Sequence, residues 1–446
     1  MLTLNFANMM EKVIGPNGMN EKTIEGLSLK AAEIHREIIG RRRPELEFMD
    51  LPGGDTTDIR KLGGEVRQES ENFLLLGIGG SALGPRAILE ALSPYHNLRK
   101  TPRVFIYDNV DPLTLRHILS VVDLTKTTVN VISKSGSTAE TAASFMILWD
   151  EMKKAVGADA AKMFIATTDP ASGNLRKIAS DFGMRTLPIG KGIGGRYSVL
   201  SPVGLLLAEV IGVDSRELLK GAADMRLRCA ADELLKNPAY MLGSLLYLMN
   251  ADGKRNVNVL IPYADGLKFL SEWFCQLWSE SLGKEGKGMT PYPSVGTTDQ
   301  HSQLQLWMEG PEDKVVTFIR IDEYGADYTI PGVFEEVEGT NYLSGRRLSE
   351  LIKAEEESSE LALAKRGHPN MTIQIPSIDA YHLGGLFQFF EIATAFTGLL
   401  LGINPFNQPG VEEGKNFTYG MMGKKGFEAK REEVEKARED KACWQI

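Results

Sequence analysis

With 446 residues, 43% of them hydrophobic, the chain can bury a large core and is long enough for two or three domains. Its formal net charge of −9 excludes the clustered-cation surface that nucleic-acid binding needs, so an anionic ligand must be held by a local positive site. Three scattered cysteines, Cys229, Cys275 and Cys443, exclude a disulfide framework and a cysteine-rich zinc site, and fit a reducing cytoplasm.

The first residues, MLTLNFANMMEKVIG, acquire charge at Glu11 and Lys12 before an apolar stretch can form, and do not read as a secretory signal. Residues 20–39 space Ile24, Leu27, Leu29, Ala32, Ile34 and Ile38 as an amphipathic helix, and RRRPELEFMDLPGGD after them reads as a linker. Strands are then expected near 73–78 (FLLLGI), 104–107 (VFIY), 128–133 (TVNVIS) and 163–168 (MFIATT), with helical periodicity between them. A second set follows a helical region: VNVLIPY (257–263), a helix over 265–282, VVTFIRI (315–321), MTIQI (371–375) and an apolar helix over 378–402. The alternation predicts an α/β protein with parallel sheets covered on both faces. Glu391, Gly384 and Gly385 within the last helix favour a buried core helix over a membrane span. The tail, FEAKREEVEKARED, reads as a solvated helix.

Polar clusters stand where the strands end. GIGGSALGPRA (77–87) has GxGxxA spacing with Asp108 as a loose acidic partner, a weak dinucleotide signal that fits a small sugar or phosphate equally well. SKSGST (133–138) crowds Ser133, Lys134, Ser135, Ser137 and Thr138 around Gly136 before a helix, which makes an anion nest with Thr138 as cap, or else an ordinary Ser/Thr turn. GIGGRYSVLSPVG (192–204) offers the Arg196 guanidinium between close backbones. In SEWFCQLWSESLGK (271–284), Glu280 falls about 20 degrees from Trp273 on a helical wheel, beside an apolar stripe where a carboxylate pKa tends to rise. The competing arrangement is an ion pair with Lys284 one turn on. His301 follows a polar turn in which Asp299 and Gln300 can orient it, and Lys415 stands beside Glu412 and Glu413. No His, Cys and carboxylate spacing indicates a metal.

Together, GIGGSALGP, SKSGSTAET, GGRYSVLSPVG, ESLGK, TDQHS and NQPGVEEGK resemble the phosphoglucose isomerase family, in order, over residues 77–415. The resemblance implies two doubly wound sugar-isomerase (SIS-like) domains with flanking terminal helices. The boundaries expected are 1–50 for an N-terminal arm, 51–210 and 211–403 for the domains, and 404–446 for a C-terminal loop and helix. It also implies Ser81, Ser133, Lys134, Ser135 and Thr138 on a sugar phosphate, Gly79 and Gly80 along the ring, and Glu140 near the sugar hydroxyls. Glu280 would be the base, Arg196 the enediolate stabiliser, and His301 with Lys415 the ring-opening pair. The activity implied is interconversion of glucose 6-phosphate and fructose 6-phosphate, by a cytoplasmic homodimer with shared sites, without cofactor, metal, nucleic acid or membrane. The alternatives are an isomerase also accepting mannose 6-phosphate and a sugar-phosphate-binding regulator of the same fold. The chain departs from the family at Ser279 and Leu282 around Glu280, and at Asn407 and Pro409 in FNQPG.

Overall fold

The computed structural model describes residues 2–40, 43–251, 253–441 and 444, so Cys443 lies outside the described residues. Ten strands occur among them: β1 (Thr3–Asn5), β2 (Asn72–Leu76), β3 (Arg103–Tyr107), β4 (Thr127–Ile132), β5 (Phe164–Thr168), β6 (Arg185–Pro188), β7 (Val257–Pro262), β8 (Thr290–Pro293), β9 (Lys314–Glu323) and β10 (Asn370–Ser377). They form two sheets, ordered β3-β2-β4-β5-β6 and β1-β10-β9-β7-β8. Every pairing is parallel except that of β1 with β10, where Leu4 stands opposite Ile373.

The seven expected strands are all present, with ends moved by a residue or two. They form because each is an apolar run buried on both faces: β2, β4 and β5 are buried throughout. Alternate side chains divide between two layers. Phe73 and Leu75 of β2 join Ile319 and Ile321 of β9 and Ile373 of β10 in one core shared by both sheets. Leu74 and Leu76 face a separate outer cluster with Val129, Phe145 and Phe164, while Val259, Ile261 and Phe318 face another.

Strands β1, β6 and β8 were not legible. RTLP and TPYP carry prolines, which remove ladder donors, and both lie at sheet edges, where a missing N–H is tolerated. The amphipathic stretch 20–39 is two helices, Glu21–Glu25 and Ser28–Ile39, interrupted at Gly26.

Helix Ala380–Leu400 passes through the shared core with nearly every residue buried. Trp273 and Phe274, on helix Lys268–Leu282, meet Phe387 and Phe390 with ring centroids 4.8 Å apart in each pair. Gly384 permits a closer crossing on its other side, since a Cβ there would lie 1.9 Å from the Leu218 carbonyl oxygen. The run that satisfies a membrane-span test is therefore the central helix of the core. Helix Glu428–Lys441 at the C-terminal end is largely exposed, as its charge pattern implied.

Glu391 sits within the central helix, fully buried, with neither carboxyl oxygen hydrogen-bonded among the described residues. Burial pushes its pKa well above the usual carboxylate value, so it is carried as the neutral acid. The unfolded chain releases that proton above about pH 4.5, so stability is lost as pH rises beyond that value. Glu391→Gln, neutral at every pH, is expected to gain in Tm relative to the parent between pH 5 and pH 8; a difference independent of pH contradicts burial as the neutral acid.

Candidate active site

At the carboxyl ends of β2, β4 and β5, five loops and one helix enclose a cavity of about 620 Å³. It is lined by Gly80 and Ser81 after β2, by Ser133, Lys134, Ser135 and Thr138 after β4, by Asp169 and Ser172 after β5, and by Gly194 to Arg196. Gln276 and Glu280 reach it from helix Lys268–Leu282, and Phe406 and Gln408 from a loop near the C-terminal end. Parallel sheets gather ligands at this edge, where strands open into helix N-termini.

The loop after β4 is arranged for an anion. It leads into helix Ala139–Val156, whose N-cap Thr138 and first-turn Thr141 line the cavity, so the positive end of the helix dipole lies beside it. Ser133 Oγ accepts from Gly136 N at 3.0 Å, and Ser135 and Ser137 pair through their hydroxyls at 2.8 Å. Thr138 occupies the N-cap position, but its side chain makes no capping hydrogen bond, contrary to expectation; the residue lines the cavity, and its hydroxyl accepts from Ser133 Oγ at 3.5 Å. Lys134 spends two donors on the carbonyls of Lys191 (2.6 Å) and Ile193 (2.9 Å), which ties this loop to the one carrying Arg196. Burial lowers its pKa, and Asp169 and Glu47 oppose that shift.

Arg196 is 3% exposed, and all its donor nitrogens are engaged. Nε donates to Ser281 Oγ at 2.7 Å, Nη1 to Glu280 Oε2 at 3.1 Å and to Gln408 Oε1 at 3.0 Å, and Nη2 to the carbonyls of Pro405 (2.7 Å) and Asn407 (3.1 Å). The other Glu280 oxygen accepts from Gln276 Nε2 at 2.9 Å. Thus Glu280 is held at both oxygens while a third of its side chain stays exposed. The alternative pairing with Lys284 does not form: Lys284 donates to the carbonyls of Ser281 and Asn404.

The loop after β2 closes the site from the opposite side. A Cβ on Gly80 would lie 2.3 Å from the Gly195 carbonyl, so glycine alone permits the contact between these two loops. Gly79 adopts φ +55° beside Gln276. Asp108, weighed as a ribose partner, is held by Arg86 at 2.8 Å.

Of the twelve residues singled out by sequence, eight line the cavity (Gly80, Ser81, Ser133, Lys134, Ser135, Thr138, Arg196 and Glu280) and Gly79 adjoins it. Three stand apart. Glu140 borders a smaller recess with Tyr107, Asp108 and Asn109. His301 is exposed in the first turn of helix Thr298–Glu309; Asp299 bonds Val295 N and Gln303, and Gln300 accepts from Tyr263, so neither neighbour orients the imidazole. Lys415 is bonded to Glu412 at 2.8 Å on helix Glu412–Met421. Sequence reasoning passed over Gln276, Ser281 and Gln408. Gln276 was findable as the i−4 neighbour of Glu280 on one helix face. No group of three or more His, Cys, Asp or Glu side chains suited to a metal occurs among the described residues.

The family model described as phosphoglucose isomerase matches residues 57–435. The chain is 40% identical to the glucose-6-phosphate isomerase of Carboxydothermus hydrogenoformans, over 98% of each chain, and 47% identical to that of Rubrobacter xylanophilus, over 80% of this chain and 84% of the relative. Among solved structures, a hypothetical protein of Thermus thermophilus superposes with a TM-score of 0.86 at 36% identity, covering 95% of this chain and all of the other.

The contact of Gly80 with Gly195 generates a paired expectation. Gly80→Ala is expected to cost about 1–3 kcal/mol by overpacking backbone against Cβ. Gly195→Ala, whose added Cβ meets nothing within 4 Å, is expected to stay within about 0.5 kcal/mol. Chemical denaturation of the two variants checks this, and equal losses would contradict the contact.

Proposed function

The chain belongs to the phosphoglucose isomerase family, and on that premise we propose that it interconverts D-glucose 6-phosphate and D-fructose 6-phosphate through ring opening and a cis-enediolate. It would do so as a cytoplasmic homodimer in glycolysis and gluconeogenesis. The observation that carries the reading is one cavity holding both a hydroxyl-rich helix N-terminus and a carboxylate fixed at both oxygens by Arg196 and Gln276. At about 620 Å³ the cavity suits a hexose phosphate, within the roughly 300–1,000 Å³ usual for small-ligand sites.

Each part of the reaction then has a group to perform it. The hydroxyls of Ser133, Ser135 and Thr138, the amides that open helix Ala139–Val156 and the charge of Lys134 grip the phosphate, remote from the reacting carbons. Charge-assisted hydrogen bonds of this kind contribute roughly 1.5–3 kcal/mol each. Gly79, Gly80 and Ser81 give the sugar ring a close backbone wall, and Glu140 approaches from the recess beside it. Glu280 takes the proton from C2 and returns it to C1, a step worth about 10² to 10⁴-fold for a positioned base. Arg196, already on Glu280, adds positive charge where the enediolate oxygen develops.

Ring opening is assigned to His301 and Lys415, neither of which lines the cavity of its own chain. A second copy supplying His301 accounts for the position of that residue, while Lys415 follows the cavity-lining Gln408 loop on the same chain. Thr297, at the start of the His301 helix, shares a second cavity of about 330 Å³ with Tyr328 and Leu348, and Tyr328, Phe334, Tyr342 and Leu348 are exposed apolar side chains nearby in sequence. Such a face suits a partner surface.

Three measurements test the reading. Glu280→Gln is expected to abolish isomerisation of fructose 6-phosphate while phosphate-ligand binding persists; preserved turnover would remove Glu280 as base. Ser135→Ala is expected to raise KM well before it lowers kcat, and a pure kcat defect would contradict its role as a phosphate handle. Mixing inactive Glu280→Gln and His301→Ala chains under conditions that exchange subunits is expected to restore about a quarter of parental activity, since half the dimers are hybrid and each holds one intact site. No restoration would place both groups in one subunit. Fructose 6-phosphate and mannose 6-phosphate assayed side by side define the substrate range.

A further inference from the structure

Lys284 closes the ESLGK motif, and the reading above gives it no role. Its Nζ donates to the Ser281 carbonyl at 2.7 Å, at the end of helix Lys268–Leu282, and to the Asn404 carbonyl at 2.8 Å. Asn404 begins the loop whose Pro405 and Asn407 carbonyls and Gln408 side chain are taken by Arg196. Ser281 is likewise gripped twice, through its hydroxyl by Arg196 and through its carbonyl by Lys284. Two cations thus fasten the same two segments, the end of the helix that carries Glu280 and the loop that carries Gln408.

We propose that Lys284 is a positioning residue of the isomerase site, clamping the 404–408 loop to the end of the Glu280 helix together with Arg196. The inference rests on Glu280 as the base. The helix C-terminus presents carbonyls without intrahelical partners, and an ammonium both satisfies them and complements the helix dipole. The loop brings no charge of its own, since Asn404 to Gln408 are all uncharged. The charged groups that face Lys284 are therefore Arg196, from the loop after β6, and Glu280, from the helix that ends two residues before Lys284; Glu285 and Lys287 pair with each other at 3.4 Å.

Burial, with Arg196 in support and Glu280 opposing, pushes the Lys284 pKa down to about 8. As pH rises through that value the clamp loses its charge. Between about pH 8 and 10.5 the unfolded chain holds a proton there that the folded chain has released, so this group's contribution to stability improves with pH. Activity and the stability contribution of Lys284 consequently move in opposite directions, which a purely structural lysine would not produce.

The test uses the full chain with Lys284→Met and Lys284→Arg. The parent kcat is expected to fall on the alkaline side with a midpoint near pH 8. Lys284→Arg, cationic throughout, moves that midpoint upward by about one pH unit or more. Lys284→Met lowers kcat about 10-fold at pH 7 with KM changed less than about two-fold, and shows no such limb. Hydrogen exchange reads the clamp without turnover: amides of 406–408 are expected to exchange about 10-fold faster in Lys284→Met. The Arg variant, which keeps the charge, is the folded control. An unmoved alkaline limb in both variants, or unchanged exchange at 406–408 in Lys284→Met, overturns the proposal. A parent chain with no isomerase activity would instead overturn the functional reading, while the exchange result still decides the clamp.

Discussion

The guanidinium of Arg196 is the constraint on which the site depends. A fork of five donors, almost entirely removed from solvent, must find an acceptor for each or bear the cost of burying a charged group unsatisfied. It finds them on a helix residue, Ser281, on the carboxylate of Glu280, and on three residues of the 404–408 loop. These segments lie far apart in the chain, and only the shared core of the two sheets brings them within reach. Lysine has neither the planar fork nor the number of donors to do the same.

From that centre the division of labour follows. The loop after β4 lines one end of the cavity and is tied to the Arg196 loop by the Lys134 ammonium. The loop after β2 touches the Arg196 loop backbone to backbone at Gly80. Each loop is thus joined to Glu280 through the Arg196 loop, so the hydroxyl-rich end of the cavity and its carboxylate end share a single frame. A frame of this kind holds a base in its productive position, where a misplacement of about 1 Å can cost about 100-fold in rate.

The fold was largely legible in sequence because parallel strands buried on both faces leave uninterrupted apolar runs, as in FLLLGI and TVNVIS. What stayed hidden had no such signature: β1 is three residues long, and β6 and β8 contain the prolines that a sheet edge tolerates. The hydroxyl-rich loop after β4, Arg196 and Glu280 were visible as local clusters of unusual chemistry. The partners that define their geometry were not, because Ser281, Gln408 and the backbone carbonyls of Pro405 and Asn407 are ordinary until folding places them around a guanidinium. Sequence neighbours that were weighed as partners also proved not to pair. Lys284 turns from Glu280 to two carbonyls, and Asp299 and Gln300 turn from His301 to Val295, Gln303 and Tyr263.

The measurement that bears most directly on this account is the kcat of Arg196→Lys for fructose 6-phosphate, taken on protein whose melting remains cooperative. If one planar fork both seats Glu280 and stabilises the developing oxyanion, kcat falls by about 10² to 10³-fold although the positive charge is kept. A kcat within about two-fold of the parent would contradict it, and would make charge alone, rather than the fork, sufficient for the site.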